Sequence, residues 1–522
     1  MITKYTYKDS NIIDLILHKN GITDDFSGSI IVGKAEQART MLRDYEADTL
    51  AALIDGSFDI LIYGDYDADG ICSTAIAKRY IPGSRYIIPE RRDGYGITNK
   101  AVPLILHDAP DLLLTVDCGI NAQDAVEHIK KAGINVIVTD HHIYNKAVAP
   151  MDCLIVHPDV NNVGFNGYSG SGVIYKALSQ LYGNDNAALQ LAAVGTICDV
   201  MPMLDENRKI VRDGLELIRY DPLPAIKALL DKARRPHRYV TESDIGFYVG
   251  PMINAAGRMG NANLAAQLFA SRDQSEINIL AGKLADLNDQ RKEITTELAN
   301  QAKQNIVYLN SIVIAKVESM NSGMLGLIAM ELAKTYKVPA ILINESDGRL
   351  SASCRSHGEF NCHAMISACS EYLDAGGGHK GAAGMSIKPE KYGQFIEAAI
   401  DFAESTTKYT TQQVMADIGI DIMQIPDVAS DVLSLRPYGS KFSQPTFASA
   451  FIIDEIGPIG KNNDSHTKIS VGESVELLWF NQPFNQVYLA SGDFVVCSYE
   501  ISDAKNRYSG KTSVIIRDLE IQ

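Results

Sequence analysis

Three aspartates at alternate positions, Asp65, Asp67 and Asp69, run directly into Gly70 and concentrate hard oxygen ligands in one short stretch. The same offer recurs along the chain: Asp117 follows the apolar run 112–116, Asp140-His141-His142 follows 136–139, and Asp199 follows Ile197-Cys198. Mixed carboxylate and imidazole ligation suits Mn²⁺ or Mg²⁺, and a shared carboxylate can hold two such ions ~3.5–4 Å apart, an arrangement that hydrolyses phosphoesters. A lone Asp after a strand is as readily a helix cap or turn residue, but repetition at successive strand ends favours a cluster. Asp-x-Asp-x-Asp-Gly also opens an EF-hand calcium loop. That loop needs an acid at its twelfth position, where Ile76 stands, and a preceding helix in place of the strand expected here. Two adjacent imidazoles cannot both enter one apolar strand face, so one of His141 and His142 reads as a ligand and the other as a phosphate contact.

Positioning these groups requires a sheet. The runs 60–63, 112–116, 136–139 and 154–156 are short, continuously apolar and β-branched, as strands buried on both faces of a parallel sheet are. Residues 73–80 and 121–131 suit crossover helices, which predicts a doubly wound α/β domain with function at the carboxyl ends of its strands. The chain then turns helical over 186–220, and 275–306 reads as a long charged helix able to link two domains. Strands at 311–317 and 340–343 around a helix at 325–334 predict a second, smaller α/β domain. A helical stretch over 410–435 precedes strand-like segments at 449–453, 475–480, 494–498 and 513–517, which together predict a small β-barrel. The expected division is 1–215, 216–306, 307–425 and 426–522.

A chain of 522 residues exceeds what one core usually serves, and its 46% apolar and 21% charged composition is that of a globular protein. No secretory leader or membrane-spanning run is read, and eight scattered cysteines without a CxxC pair fit reduced thiols, so a cytoplasmic protein with no membrane partner is expected. A net charge of −16 argues against indiscriminate nucleic-acid binding but leaves room for a local basic groove. The most basic run, 232–238, reads either as solvated surface or as a DNA track. Trp479 and Phe480 read either as core or as base-stacking residues.

The four segments Gly-Asp-Tyr-Asp-Ala-Asp-Gly, Val-Asp-Cys-Gly, Thr-Asp-His-His and Gly-Thr-Ile-Cys-Asp-Val together resemble the motifs of the DHH phosphoesterase superfamily. From about Phe58 onward the chain looks like the RecJ-type single-strand exonucleases within it. The stretches that carry this likeness begin at Asp93, Ile253, Leu287, Ser353 and Gly376, and the last is similar to the signature of a DHH-associated domain. Arg436-Pro-Tyr-Gly, followed by Pro445-Thr-Phe, resembles the approach to an OB-fold. The chain departs from the family pattern at Asn321-Ser322-Gly323, at Ala352 and at Lys441-Phe442-Ser443.

The resemblance implies a doubly wound DHH domain, a long connecting helix, a DHH-associated domain and an OB-fold-like barrel. It implies two divalent ions, Mn²⁺ or Mg²⁺. Asp67 and Asp117 would hold one, with Asp65 nearby; Asp69, Asp117, His141 and Asp199 would hold the other. His142 would contact the scissile phosphate, and Asp140 would fix imidazole orientation. Arg258, Ser353, Arg355 and His379 match positions that bind nucleic-acid phosphates, the terminal 5′-phosphate among them. The implied activity is 5′→3′ hydrolysis of single-stranded DNA to 5′-mononucleotides in DNA repair, recombination or replication, with a single-strand binding protein or a helicase as partner. A small-substrate phosphodiesterase acting on oligoribonucleotides or cyclic dinucleotides, and a non-catalytic replication scaffold, are the alternatives.

Overall fold

The computed structural model describes residues 2–7, 11–23, 25–31, 33, 39–318, 320, 322–406, 415–459, 465–506 and 508–521. Its first sheet is parallel throughout, in the order Arg85–Ile87, Ile60–Tyr63, Leu112–Val116, Asn135–Thr139, Leu154–Val156. Successive side chains alternate between its faces. Ile60, Ile62, Leu112, Leu114 and Ile137 pack against helices Ala68–Tyr80, Gly170–Tyr182 and Asn186–Cys198. Leu61, Tyr63, Leu113, Val136 and Val138 face helices Ala101–Asp108 and Gln123–Lys131 on the other side. This is the doubly wound arrangement expected from the apolar runs. The edge strand Arg85–Ile87, short and only partly buried, was not expected.

The helix expected over 73–80 begins five residues earlier, at Ala68, because the Asp67 side chain caps it, accepting from the Asp69 and Gly70 amides at 3.0 and 3.1 Å. Asp69 therefore lies in a first helical turn and not in a loop. Further on, helix Gln274–Gln304 runs 31 residues, ~45 Å at 1.5 Å per residue. Ile277, Leu280, Ala281 and Leu284 pack into the core of the first domain, whereas Ala299 and Ala302 belong to the core of the second. One rigid rod thus sets the spacing between the two.

The second sheet is mixed, in the order 373–379, 382–387, 349–355, 340–346, 313–318, 306–309, with helix Ser322–Tyr336 crossing over between the parallel strands Val313–Glu318 and Ala340–Ser346. The glycine-rich stretch 376–384, open on composition to being a flexible turn or a phosphate cradle, is a β-hairpin: Gly377 pairs with Gly384 and His379 with Ala382.

Seven C-terminal strands and Ile2–Thr6 form an eight-stranded sheet, and its core is continuous with that of the first domain. Two expectations are corrected here. The helix expected over 410–435 is limited to Ile425–Ser434; residues 410–414 lie outside the described ones, and Met415–Gly419 is a strand. That strand pairs in parallel with Ile2–Thr6, so the first residues join the C-terminal sheet although the expected boundaries group them with the first domain. The join is locked by Arg208, a fully buried side chain whose guanidinium donates to the Leu435, Arg436 and Pro437 carbonyls and lies 4.9 Å from the Phe442 ring. No helix among the described residues is long and apolar enough to cross a membrane.

Candidate active site

The carboxyl ends of three adjacent strands deliver the site. Tyr63 leads to Asp65, Val116 to Asp117, and Thr139 to the triplet at 140–142. Asp117 has a left-handed backbone (φ 61°), which Asp tolerates better than most residues and which turns the chain sharply off the strand. Asp69 enters from the capped helix, its carboxylate accepting from the Gly170 and Ser171 amides at 2.7 and 3.0 Å. Asp199 stands at the C-terminal end of helix Asn186–Cys198. Close approach makes glycine necessary at two places: a Cβ on Gly170 would run into the Asp117 carboxylate, and one on Gly195 into that of Asp69.

The side chains fall into sets whose ligand atoms all lie within 4.8 Å of one another: Asp65, Asp67 and Asp117; Asp69, His141 and Asp199; and Asp117, His141 and His142. His141 Nε2 sits 3.1 Å from Asp117 Oδ1, 3.6 Å from Asp199 Oδ2 and 3.9 Å from Asp69 Oδ2. So much negative charge in a buried space is unfavourable by itself. Burial, then the Asp67 charge, pushes the Asp65 carboxyl up to about 8; burial, then Asp69, does the same at Asp199. Asp69 and Asp117 are raised as well, burial leading in both. Burial lowers His141, which favours the neutral imidazole that a metal requires. Asp65 Oδ1 and Asp117 Oδ1 are buried without a hydrogen-bond partner among the described residues. Orphaned carboxylate oxygens beside a neutral imidazole fit divalent cations as the missing partners.

Asp140 is engaged differently. Its Oδ1 accepts from the His141 and His142 amides at 2.7 and 3.1 Å and lies 2.8 Å from His142 Nδ1, while Oδ2 accepts from the Ile120 amide at 3.0 Å. Burial opposes its charge, but these hydrogen bonds prevail and hold the carboxyl below its ordinary range. The same partnership overcomes burial at His142 and raises it to about 9. His142 is the more open imidazole, and Tyr95 Oη lies 2.7 Å from its Nδ1 while donating to the Asp117 carbonyl.

Arg258 feels the charge of Asp67 and is the centre of a group of arginines. Arg258, at the end of helix Gly250–Arg258, donates from Nη1 to the Gly323 carbonyl at 3.0 Å and so reaches the second domain. Burial, followed by the charges of Arg91, Arg291 and Arg355, pushes it down to about 10, with Asp67 opposing. The Arg91 guanidinium lies 4.4 Å from the Tyr66 ring centroid, and Nε of Arg91 and of Arg291 are buried without a hydrogen-bond partner among the described residues. Arg355 Nη1 donates to Ser353 Oγ at 2.9 Å. Arg355 and His379 both pair with Ala382 from opposite sides, which puts them at one end of three neighbouring strands.

The structure therefore brings together Asp65, Asp67, Asp69, Asp117, His141 and Asp199, places His142 and Asp140 at their margin, and sets Arg258 and Arg355 nearby. Arg91, Arg291 and Tyr95 were not singled out from the sequence. They stand beside or inside the recognised stretches, but only the fold reveals their convergence. In the basic run 232–238, Arg235 is engaged by Asp244 and stacks 4.1 Å from the Tyr248 ring. Trp479 packs against the core, whereas Phe480 points outward, edge-on to His466 at 5.3 Å. Asn321 lies outside the described residues.

Residues 59–196 match the DHH family, N-terminal domain; residues 309–405 match the DHHA1 domain; and residues 416–518 match the RecJ OB domain. The chain is 30% identical to the single-stranded-DNA-specific exonuclease RecJ of Bacillus subtilis over 91% of its own length and 63% of that protein's. It is 30% identical to the protein of the same description from Haemophilus influenzae, covering 78% of each. Among solved structures, RecJ of Thermus thermophilus in complex with Mn²⁺ superposes with a TM-score of 0.78 at 26% identity, over 97% of this chain and 75% of that one.

Proposed function

Because the chain belongs to the RecJ family of DHH phosphoesterases, we propose that it is a metal-dependent exonuclease hydrolysing single-stranded DNA from its 5′ end to 5′-mononucleotides. The observation that carries this reading is the meeting, at one sheet edge, of five ligand-capable aspartates and His141 with an arginine group bordering Asp67.

Two divalent ions, Mn²⁺ or Mg²⁺, held by Asp65, Asp67, Asp69, Asp117, His141 and Asp199, would supply an activated water nucleophile and neutralise charge on the phosphorane-like transition state. The protein's own groups do the rest. Arg258, Arg355 and Ser353, joined by Arg91, Arg291 and His379, grip the terminal phosphate, and guanidinium forks suit its oxygens. Since that grip borders Asp67, a strand held there by its end presents the next phosphodiester to the carboxylates, and one nucleotide leaves per cut. His142, oriented by Asp140, donates to a non-bridging oxygen of the scissile phosphate.

The same reading gives the chemistry to residues 1–215, the connection to 216–306, the grip on the strand end to 307–425 and the hold on the trailing strand to 426–522, with strands Ile2–Thr6 and Met415–Gly419 belonging to the sheet of the last. It places the protein in the cytoplasm, where a helicase or a single-strand binding protein would present its substrate. A 5′-phosphorylated, end-labelled single strand incubated with Mn²⁺ should yield labelled mononucleotide from the first minutes. Cleavage of dinucleotides alone, or binding without turnover, contradicts the proposal.

A further inference from the structure

Of the eight free cysteines, Cys354 and Cys362 stand apart: their sulfurs are 3.3 Å apart, and both residues are fully buried in the core of the second domain. A disulfide needs ~2.05 Å between sulfurs, so closure requires a movement of little more than an ångström. Their position links them to the phosphate grip. Cys354 lies between Ser353 and Arg355 on strand Arg349–Arg355, and its carbonyl accepts from Arg355 Nη1 at 2.7 Å. The Cys362 amide donates to the Lys380 carbonyl at 2.9 Å, next to His379, and the Ser356 amide donates to the Gly381 carbonyl at 3.0 Å. Cys354 is held from both sides, by Ala383 and by Ile341, whereas Cys362 starts a short helix. Closing the pair therefore draws Cys362, and with it the tip of the hairpin bearing His379, toward the strand bearing Arg355.

We infer that Cys354 and Cys362 form a redox site, closed to a disulfide by hydrogen peroxide, that alters the grip on the substrate's terminal phosphate. The inference rests on the reading of Ser353, Arg355 and His379 as phosphate contacts. Cys362 is the attacking sulfur: the thiol hydrogen bond from Cys354 lowers it, whereas Cys354 is raised. Its thiolate takes the distal peroxide oxygen, the O–O bond breaks, and the released hydroxide gains a proton to leave as water. The sulfenic acid formed on Cys362 is then attacked by the Cys354 sulfur; the S–S bond forms, and the hydroxyl leaves as a second water with the Cys354 proton. Two electrons pass from the thiols to the peroxide.

The full chain with Mg²⁺ is treated with hydrogen peroxide, quenched with catalase, and divided between peptide mass mapping and exonuclease assays on 5′-phosphate and 5′-hydroxyl strands. The expected result is a Cys354–Cys362 peptide lighter by two hydrogens, loss of the preference for the phosphorylated end, and recovery of both on dithiol reduction. Cys369→Ala, which keeps the pair, should behave like wild type, and Cys362→Ser should keep its phosphate preference after peroxide. Free thiols after treatment, sulfinic acid in place of the bond, or a disulfide that leaves the preference unchanged overturns the inference. Arg355→Ala in the reduced state isolates the underlying reading: if it discriminates between the two ends as wild type does, the phosphate assignment fails, while the mass map still decides whether the bond forms.

Discussion

Asp117 concentrates the strain of the site in one residue. Its backbone is left-handed, one carboxylate oxygen is buried without a hydrogen bond, and it faces both the Asp65–Asp67 pair and His141. Asp117→Asn keeps the residue type that accepts this backbone and removes only the charge. We expect turnover to fall by more than the roughly 10–100-fold typical of losing an outer partner of a metal ligand, with thermal stability of the metal-free protein unchanged or higher. Near-normal turnover in single-strand degradation would sink the two-ion assignment. The neighbouring acids make a pH prediction. In the metal-free fold Asp65 and Asp199 hold their protons up to about 8, whereas unfolded aspartates release theirs near ~3.9. The folded state therefore binds more protons in between, so their contribution to stability is complete below about pH 4 and is lost as pH rises through about 8. Melting curves without metal should shift down between about pH 5 and pH 8, and saturating Mn²⁺ should flatten the trend by displacing those protons. An upward shift without metal would contradict the assignment of raised carboxyls.

At the scale of elements, the packing of helices behind the strand ends decides whether the ligands can converge. Helix Asn186–Cys198 approaches so closely that Gly195 abuts the Asp69 carboxylate and Ser171. Gly195→Ala should cost ~1–3 kcal/mol of stability by overpacking and weaken Mn²⁺ binding by displacing Asp69, both measurable by melting with and without metal. Unaltered metal affinity would show that Asp69 is not held this way. Four strands of the first sheet, with Asp65, Asp117 and the triplet at 140–142 just beyond three of them, were legible because buried parallel strands are apolar without interruption, whereas the partly exposed edge strand Arg85–Ile87 carries no such run. The start of the capped helix was not, since an Asp before Ala-Asp-Gly looks the same in a loop. Met415–Gly419 reads poorly as a strand because its partner is Ile2–Thr6, at the far end of the chain. The arginine group was half legible: Arg258 and Arg355 through family motifs, Arg91 and Arg291 only once folding had brought them near Arg258.

At the scale of the whole molecule, the first domain and the C-terminal sheet share one apolar core, and Arg208 is the polar pin through it. Its guanidinium serves three consecutive carbonyls, those of Leu435 and Pro437 in buried bonds, and burial lowers it to about 10. Arg208→Met preserves most of the volume but strands those carbonyls. A loss of about 1–3 kcal/mol for each buried carbonyl left without a donor is expected, read as a lower denaturant midpoint shared by both regions. Two separate transitions in wild type, only one of them moved by the substitution, would contradict a shared core.

The pairing of Ile2–Thr6 with Met415–Gly419 also bears on how the protein is made. The first strand leaves the ribosome with no partner and waits for roughly four hundred further residues, about 20–80 s at ~5–20 residues per second. During that interval a β-forming segment stays exposed on a nascent chain whose first sheet has already been made, and it gains its partner only when residues 415–419 emerge.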